Sequence, residues 1–204
     1  MPHSFLLPVE AWTHTAFKAL LISALMIAAL SVEVSAGESS LTCTQLAHAF
    51  LVNPTNRTHA KLMKAEATGC KAEIVPSNAK LNLLIQSVRK GNRWAAQYLA
   101  GHLSSTDGGN LEDALIGLGR FGDRHMDFFL MLLKNDQITD HAFVASLTMF
   151  SGSLADRLQA QLAFLKSRRT KISGVTNPEL SKQREYALKS VDGAIFEVER
   201  NLPK

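Results

Sequence analysis

The chain has two cysteines, two tyrosines and two tryptophans among its 204 residues, and it contains no Cys-x-x-Cys. It also lacks the spacings that carry common chemistries. There is no glycine-flanked nucleophilic serine, no His-Glu-x-x-His and no phosphate-cradling glycine loop before a lysine. His48, His59, His102, His125 and His141 are scattered over separate segments, not set at the i, i+4 spacing that places two metal ligands on one helix face. No cofactor and no bound metal are therefore expected, and no catalytic residue is assigned. No stretch keeps the strict apolar-polar alternation of a half-buried strand. The apolar run ALLISALMIAAL spans residues 19–30, short of the roughly 20 residues that a membrane-crossing helix needs.

That run follows Lys18, the one Lys or Arg in residues 1–36, and leads into VEVSA, where Val34 and Ala36 stand at the positions a signal peptidase reads. Residues 1–36 thus read as an export signal cleaved after Ala36, with residues 37–204 forming one domain in the periplasm or outside the cell. A long lead before Lys18, containing Glu10, leaves a misassigned start or an uncleaved anchor as alternatives. With cleavage, contact with the membrane is transient. Removing the signal takes away one Lys and two Glu and moves the formal charge from +4 to +5. Export argues against a nucleic-acid partner despite that charge, and leaves an anionic wall or lipid surface, or an acidic protein. Cys43 and Cys70 both survive cleavage, and an even pair in an exported chain points to a disulfide. Neither has a Cys/His/Asn constellation beside it.

Apolar residues recur at helical spacing through almost all of residues 37–204, so the fold class is all-α. Leu46, Phe50 and Leu51 mark a short helix, a second ends before Gly69, and the disulfide would tie residues 37–75 into a hairpin. Pro76 and Ser77 then start a helix with Leu81, Leu84, Ile85 and Val88 on one face. From there GNRWAAQYL, residues 91–99, lies over GDRHMDFFL, residues 122–130, at an offset of 31 without a gap. A looser third unit over residues 140–165 keeps the order helix, Gly152 turn, helix. Asn177, Pro178 and Glu179 open a terminal helix across residues 176–202, with Leu188, Val191, Ile195 and Val198 in one apolar stripe. The stripe is expected to cap the last repeat; the alternative is a homodimer seam through Leu188, Val191, Ile195 and Val198.

LEDALIGLGRFGDRHMDFFLMLLKND, residues 111–136, resembles a HEAT-like repeat of the short bacterial phycobilisome-lyase type. In that type an ALxxLGD helix end leads into a second helix and then an acidic turn. The resemblance covers residues 76–169, its middle unit matches best, and Arg124 stands where the type has Pro. It implies a short α-solenoid of helix pairs, behind the disulfide-tied hairpin and ahead of the capping helix. It also implies a habit of binding proteins, since such repeats serve many unrelated functions.

The repeat gives Asp123, Arg124, His125 and Asp127 a structural reading. Asp123 aligns with Asn92 as a helix N-cap, Arg124 with Arg93, His125 with Trp94 and Asp127 with Ala96, so no charge relay repeats. On the second helix of each unit, Ala95, Tyr98, Leu99 and His102 align with Met126, Phe129, Leu130 and Leu133 as the core side. The neighbouring face carries Trp94, Gln97 and Gly101, then His125, Phe128 and Leu132. If this face lines the inner surface, as in the repeats it resembles, Trp94, Gln97, His125 and Phe128, with Arg93 and Arg124, are the candidate partner-binding residues. The competing reading packs them under the N-terminal hairpin. KSRRTK, residues 166–171, reads as a solvated helix end whose charge suits the dipole. Two functions follow. One is a non-enzymatic exported module that binds another protein of the envelope, of the inhibitor or immunity type. The alternative is a small envelope hydrolase or metal-dependent enzyme built across helices around His125 and Asp127.

Overall fold

Local chemistry sets the starts of several helices in the computed structural model, which describes residues 41–203. The export signal expected at residues 1–36 lies outside the described residues. Thr42 caps α1 (Cys43–Val52) in a reciprocal box with Gln45, and Thr55 caps α2 (Asn56–Ala67) in the same way with Thr58. Each box satisfies backbone N–H groups that the first helical turn leaves open. The Cys43–Cys70 disulfide ties the two helices together as expected. Next come α3 (Asn78–Arg89), α4 (Arg93–Gly101), α5 (Gly108–Gly122) and α6 (Met126–Lys134). The chain ends in α7 (Asp140–Thr148), α8 (Leu158–Ser173) and α9 (Ser181–Arg200). No strand occurs among the described residues, and the all-α class holds.

Helix neighbours follow two rows. α1, α3, α5 and α7 touch in sequence along one, and α2, α4 and α6 stand beside them along the other. Between the rows lies one apolar cluster containing Phe50, Leu84, Leu99, Leu118, Phe129 and Phe143. Each such side chain contributes roughly 1.5 to 3 kcal/mol by leaving water. α9 packs chiefly on α8 and α7, and it buries Val191, Ile195 and Val198 within the chain while leaving Leu188 half-buried. The homodimer seam proposed for these residues is therefore not a free surface: the helix has already spent that stripe on its own core. Asn177 caps a short 3-10 turn, Pro178–Leu180, rather than the long helix itself.

Two expectations from the repeat change in the structure. The units over residues 78–134 do pair as helix hairpins, but α7 and α8 do not; α8 lies mainly along α9. Asp123 does not cap α6. Its own φ and ψ are helical and its N–H bonds the Gly119 carbonyl, so Asp123 closes the end of α5 instead of opening α6, whereas Asn92 does accept from Ala95 N–H at 2.9 Å.

The side chain of Asp123 is drawn away by Arg168 of α8. Arg168 is 1% exposed and grips both carboxylate oxygens, at 3.0 Å through Nε and 2.6 Å through Nη2. Its Nη1 donates to the carbonyls of Ser146 and Leu147 at 3.0 and 2.7 Å, and the guanidinium lies 4.3 Å from the ring centre of Phe164. Those carbonyls belong to the last turn of α7, which no further helical N–H reaches. A cation there also suits the helix dipole. Gly119 makes the contact possible: a Cβ at this position would fall 2.1 Å from the Ser146 oxygen. One network thus locks α5, α7 and α8 together. In the KSRRTK segment Arg168 alone is buried; Lys166, Arg169 and Lys171 stay exposed, as expected of a solvated helix end, and make surface ion pairs with Glu199, Asp192 and Asp123.

Candidate functional site

Four of the six candidate residues meet. Arg93 at the start of α4 and Arg124, His125 and Phe128 around the start of α6 line one shallow cleft of about 340 Å³, joined by Lys171 from α8. The two arginines share a repeat position but do different work. Arg93 is exposed, and its guanidinium carbon sits 5.5 Å from the centre of the Phe128 ring, a cation–π contact. Arg124 donates through Nη1 to the Arg89 carbonyl at 2.8 Å, which fastens the α5–α6 turn to the end of α3.

Phe128 is half-buried and stands edge-on to Phe121, ring centres 5.8 Å apart. His125 rests against the other part of Phe121 at 5.0 Å, with its Nε2 over Gly91. A Cβ on Gly91 would come within 2.8 Å of that nitrogen, and the backbone there has φ +93°. Glycine therefore both ends α3 and makes room for the imidazole. Burial lowers the pKa of His125 below its usual value, and the charges of Arg93 and Arg124 push it further down. The ring is neutral at neutral pH. Asp123 lines the cleft too, but its charge is cancelled by Arg168 beneath. Arg93, Arg124 and Lys171 then face Asp127, three positive charges against one negative.

Trp94 and Gln97 do not join this cleft. Trp94 is half-buried under α2, its ring 5.5 Å from that of His59, so the competing reading, packing beneath the hairpin, applies to it. Gln97 is half-buried on the same helix. Leu132, placed on the open face by the repeat, is 1% exposed and belongs to the core.

A second polar cluster, which the spacing of residues did not suggest, joins α2 to α4. Tyr98, 2% exposed, donates its hydroxyl to Glu66 Oε1 at 2.6 Å. His102 stacks on the Tyr98 ring at 4.1 Å and brings Nε2 to 3.3 Å from Glu66 Oε2 without hydrogen-bond alignment. Burial, then the bond to Glu66, raises the Tyr98 phenol far above its ordinary range, so it remains a neutral donor. These groups border a cavity of about 420 Å³ beside Cys70. One sequence clue did exist: a tyrosine on the core side of a helix must find an acceptor for its hydroxyl.

His59 completes this seam at 8% exposure, ringed by Phe50, Trp94 and Tyr98. Burial lowers its pKa; Glu66 acts in the opposite sense and His102 in the same one. The unfolded chain then takes up the proton more readily than the folded one. The stability this contributes is complete above about 6.5 and is lost as pH falls from there through the lowered folded value. Melting temperature is expected to drop between pH 7.5 and 5.5, and a His59→Phe variant to drop less. Equal slopes for the two proteins would remove His59 from the account.

Among the described residues no three His, Cys, Asp or Glu side chains are grouped to hold a metal ion, and no helix is long and apolar enough to cross a membrane. Comparison with protein-family models, with curated proteins and with solved structures finds no match to the chain.

Proposed function

We propose that the chain is an exported, non-enzymatic helical-repeat module that binds another protein of the envelope, of the inhibitor or immunity type. The observation that carries this reading is the convergence of Arg93, Arg124, His125 and Phe128 on one open cleft. Arginine and aromatic side chains are the usual anchors of protein interfaces, and here Phe128 is half-buried while Arg93 is held over its ring. The two-row helix order supports a short HEAT-like solenoid, and the disulfide suits a non-reducing compartment, which the periplasm or the exterior provides. Against the hydrolase alternative, His125 has its Nε2 packed on Gly91 and two arginines beside it, a poor setting for accepting a proton.

The experiment is affinity capture by oxidised residues 37–204 from an envelope extract of the source organism, followed by titration of the purified captured protein. Phe128→Asp places a charge on the half-buried anchor and is expected to weaken binding by about 2 kcal/mol or more, roughly 30-fold. Its helical circular dichroism should match the wild type. Binding that survives the substitution would remove the cleft from the interface, and a collapse of helicity would assign Phe128 to the core.

A further inference from the structure

We propose that the cleft between α4, α6 and α8 receives an acidic segment of the partner, with a carboxylate seated between Arg93 and Arg124 and its apolar neighbour against Phe128. This rests on the protein-binding reading and adds the chemistry of what is bound.

Charge is the first argument. With Asp123 neutralised by Arg168, the lining carries three cations against Asp127 alone. Every other charged side chain of the neighbouring KSRRTK segment has a carboxylate of its own. Within that part of the surface, the unbalanced charge is thus the cleft's own. Arg93 has no ion pair among the described residues, and its contact with Phe128 holds the guanidinium in place before any ligand arrives. Arg124 spends one nitrogen on the Arg89 carbonyl, which orients its planar fork and leaves other N–H groups for a ligand. A guanidinium fork matches the two oxygens of a carboxylate.

The backbone adds to the same field. α6 begins at this cleft, and His125 at its N-cap position gives no side-chain hydrogen bond to the first turn. Those N–H groups remain open to an acceptor. Arg93 and Arg124 line the same cleft as His125, so their positive fields overlap there. Beneath lie Phe128, Met126 and Val175, an apolar floor that suits a side chain adjacent to the carboxylate. A concave site fits an acidic peptide segment better than a lipid surface, which would meet a flat basic face.

The test is fluorescence polarisation with three probes on oxidised residues 37–204: a labelled peptide alternating Glu and Phe, its Gln-for-Glu counterpart, and vesicles of phosphatidylglycerol. The Glu peptide is expected to bind, to weaken as sodium chloride rises, and to lose at least about tenfold in affinity with Arg93→Glu. Arg93→Gln, which disturbs the fold less, should lose part of that, and Arg93→Lys should retain more than Gln. The Gln peptide and the vesicles should bind at least tenfold more weakly. Equal binding of the Glu and Gln peptides, indifference to Arg93→Glu, or preference for the vesicles would each overturn the proposal. The broader reading fails differently: a captured partner lost on Phe128→Asp but unaffected by Arg93→Glu and by salt would keep the protein interface and remove the carboxylate.

Discussion

Replacing Asp123 with alanine is expected to lower the stability of the fold by about 3 to 5 kcal/mol, the range for removing one partner of a buried ion pair. Arg168 stays behind at 1% exposure with its charge uncompensated. For a domain of this size that corresponds to a fall of roughly 6 to 20 °C in Tm. The double variant Asp123→Ala with Arg168→Met should recover much of the loss, because no charge is then stranded. Recovery will be partial: Ser146 and Leu147 also lose the donor that closes the end of α7. A thermal melt of the four proteins gives the coupling directly. A Tm within 2 or 3 °C of wild type for Asp123→Ala would sink the network as a stabilising element, since it corresponds to roughly 1 kcal/mol. Lys171, 3.4 Å from the same carboxylate but largely exposed, is expected to matter far less.

The second large effect concerns the hairpin. Closing the loop between Cys43 and Cys70, a separation of 27 residues, restricts the unfolded chain and stabilises the fold by about 3 to 4 kcal/mol in the chain-entropy picture. The Cys43→Ser, Cys70→Ser double variant is therefore expected to melt roughly 6 to 16 °C lower. The structure adds a local readout. Trp94 lies beneath α2 and is the one tryptophan of residues 37–204, so its emission should shift to longer wavelength as the hairpin loosens. The helices beyond α4 should keep their dichroism until the main transition. An unchanged Tm would show that contacts such as Asn92 to the Pro54 carbonyl and Tyr98 to Glu66 suffice to hold the hairpin.

The helical class, the disulfide and the core side of α4 and α6 were legible in the sequence because each follows from a local rule. Spacing places Ala95, Tyr98 and Leu99 on one face, and burial follows. Arg93, Arg124, His125 and Phe128 were legible as a group because the 31-residue offset aligned their surroundings. Trp94 was misplaced with them for the same reason: a repeat predicts position on a helix, but the hairpin that covers α4 has no counterpart over α6. Asp123 failed through competition. As an N-cap it would satisfy one or two N–H groups, whereas Arg168 offers a bidentate charged bond from 45 residues away, which no local pattern encodes. Glu66 lies on α2, 32 residues before Tyr98 of α4, so only the folded packing brings it to Tyr98 and His102.

The reach of Arg168 also sets an order in time. α1 with α2 and α3 with α4 close over short connections and can pair as soon as they exist. Arg168, by contrast, joins Asp123 across 45 residues and the α7 carbonyls across 22 and 21. Contacts of that separation form late in folding. A chain growing from its N-terminus must therefore wait for α8 before α5 and α7 can be clamped, although α1 to α4 have already been made. Asp123→Asn should accordingly speed unfolding while leaving the folding rate nearly unchanged. A folding rate that fell in step with stability would place the clamp in the nucleus instead, making it the event on which the rest of the molecule waits.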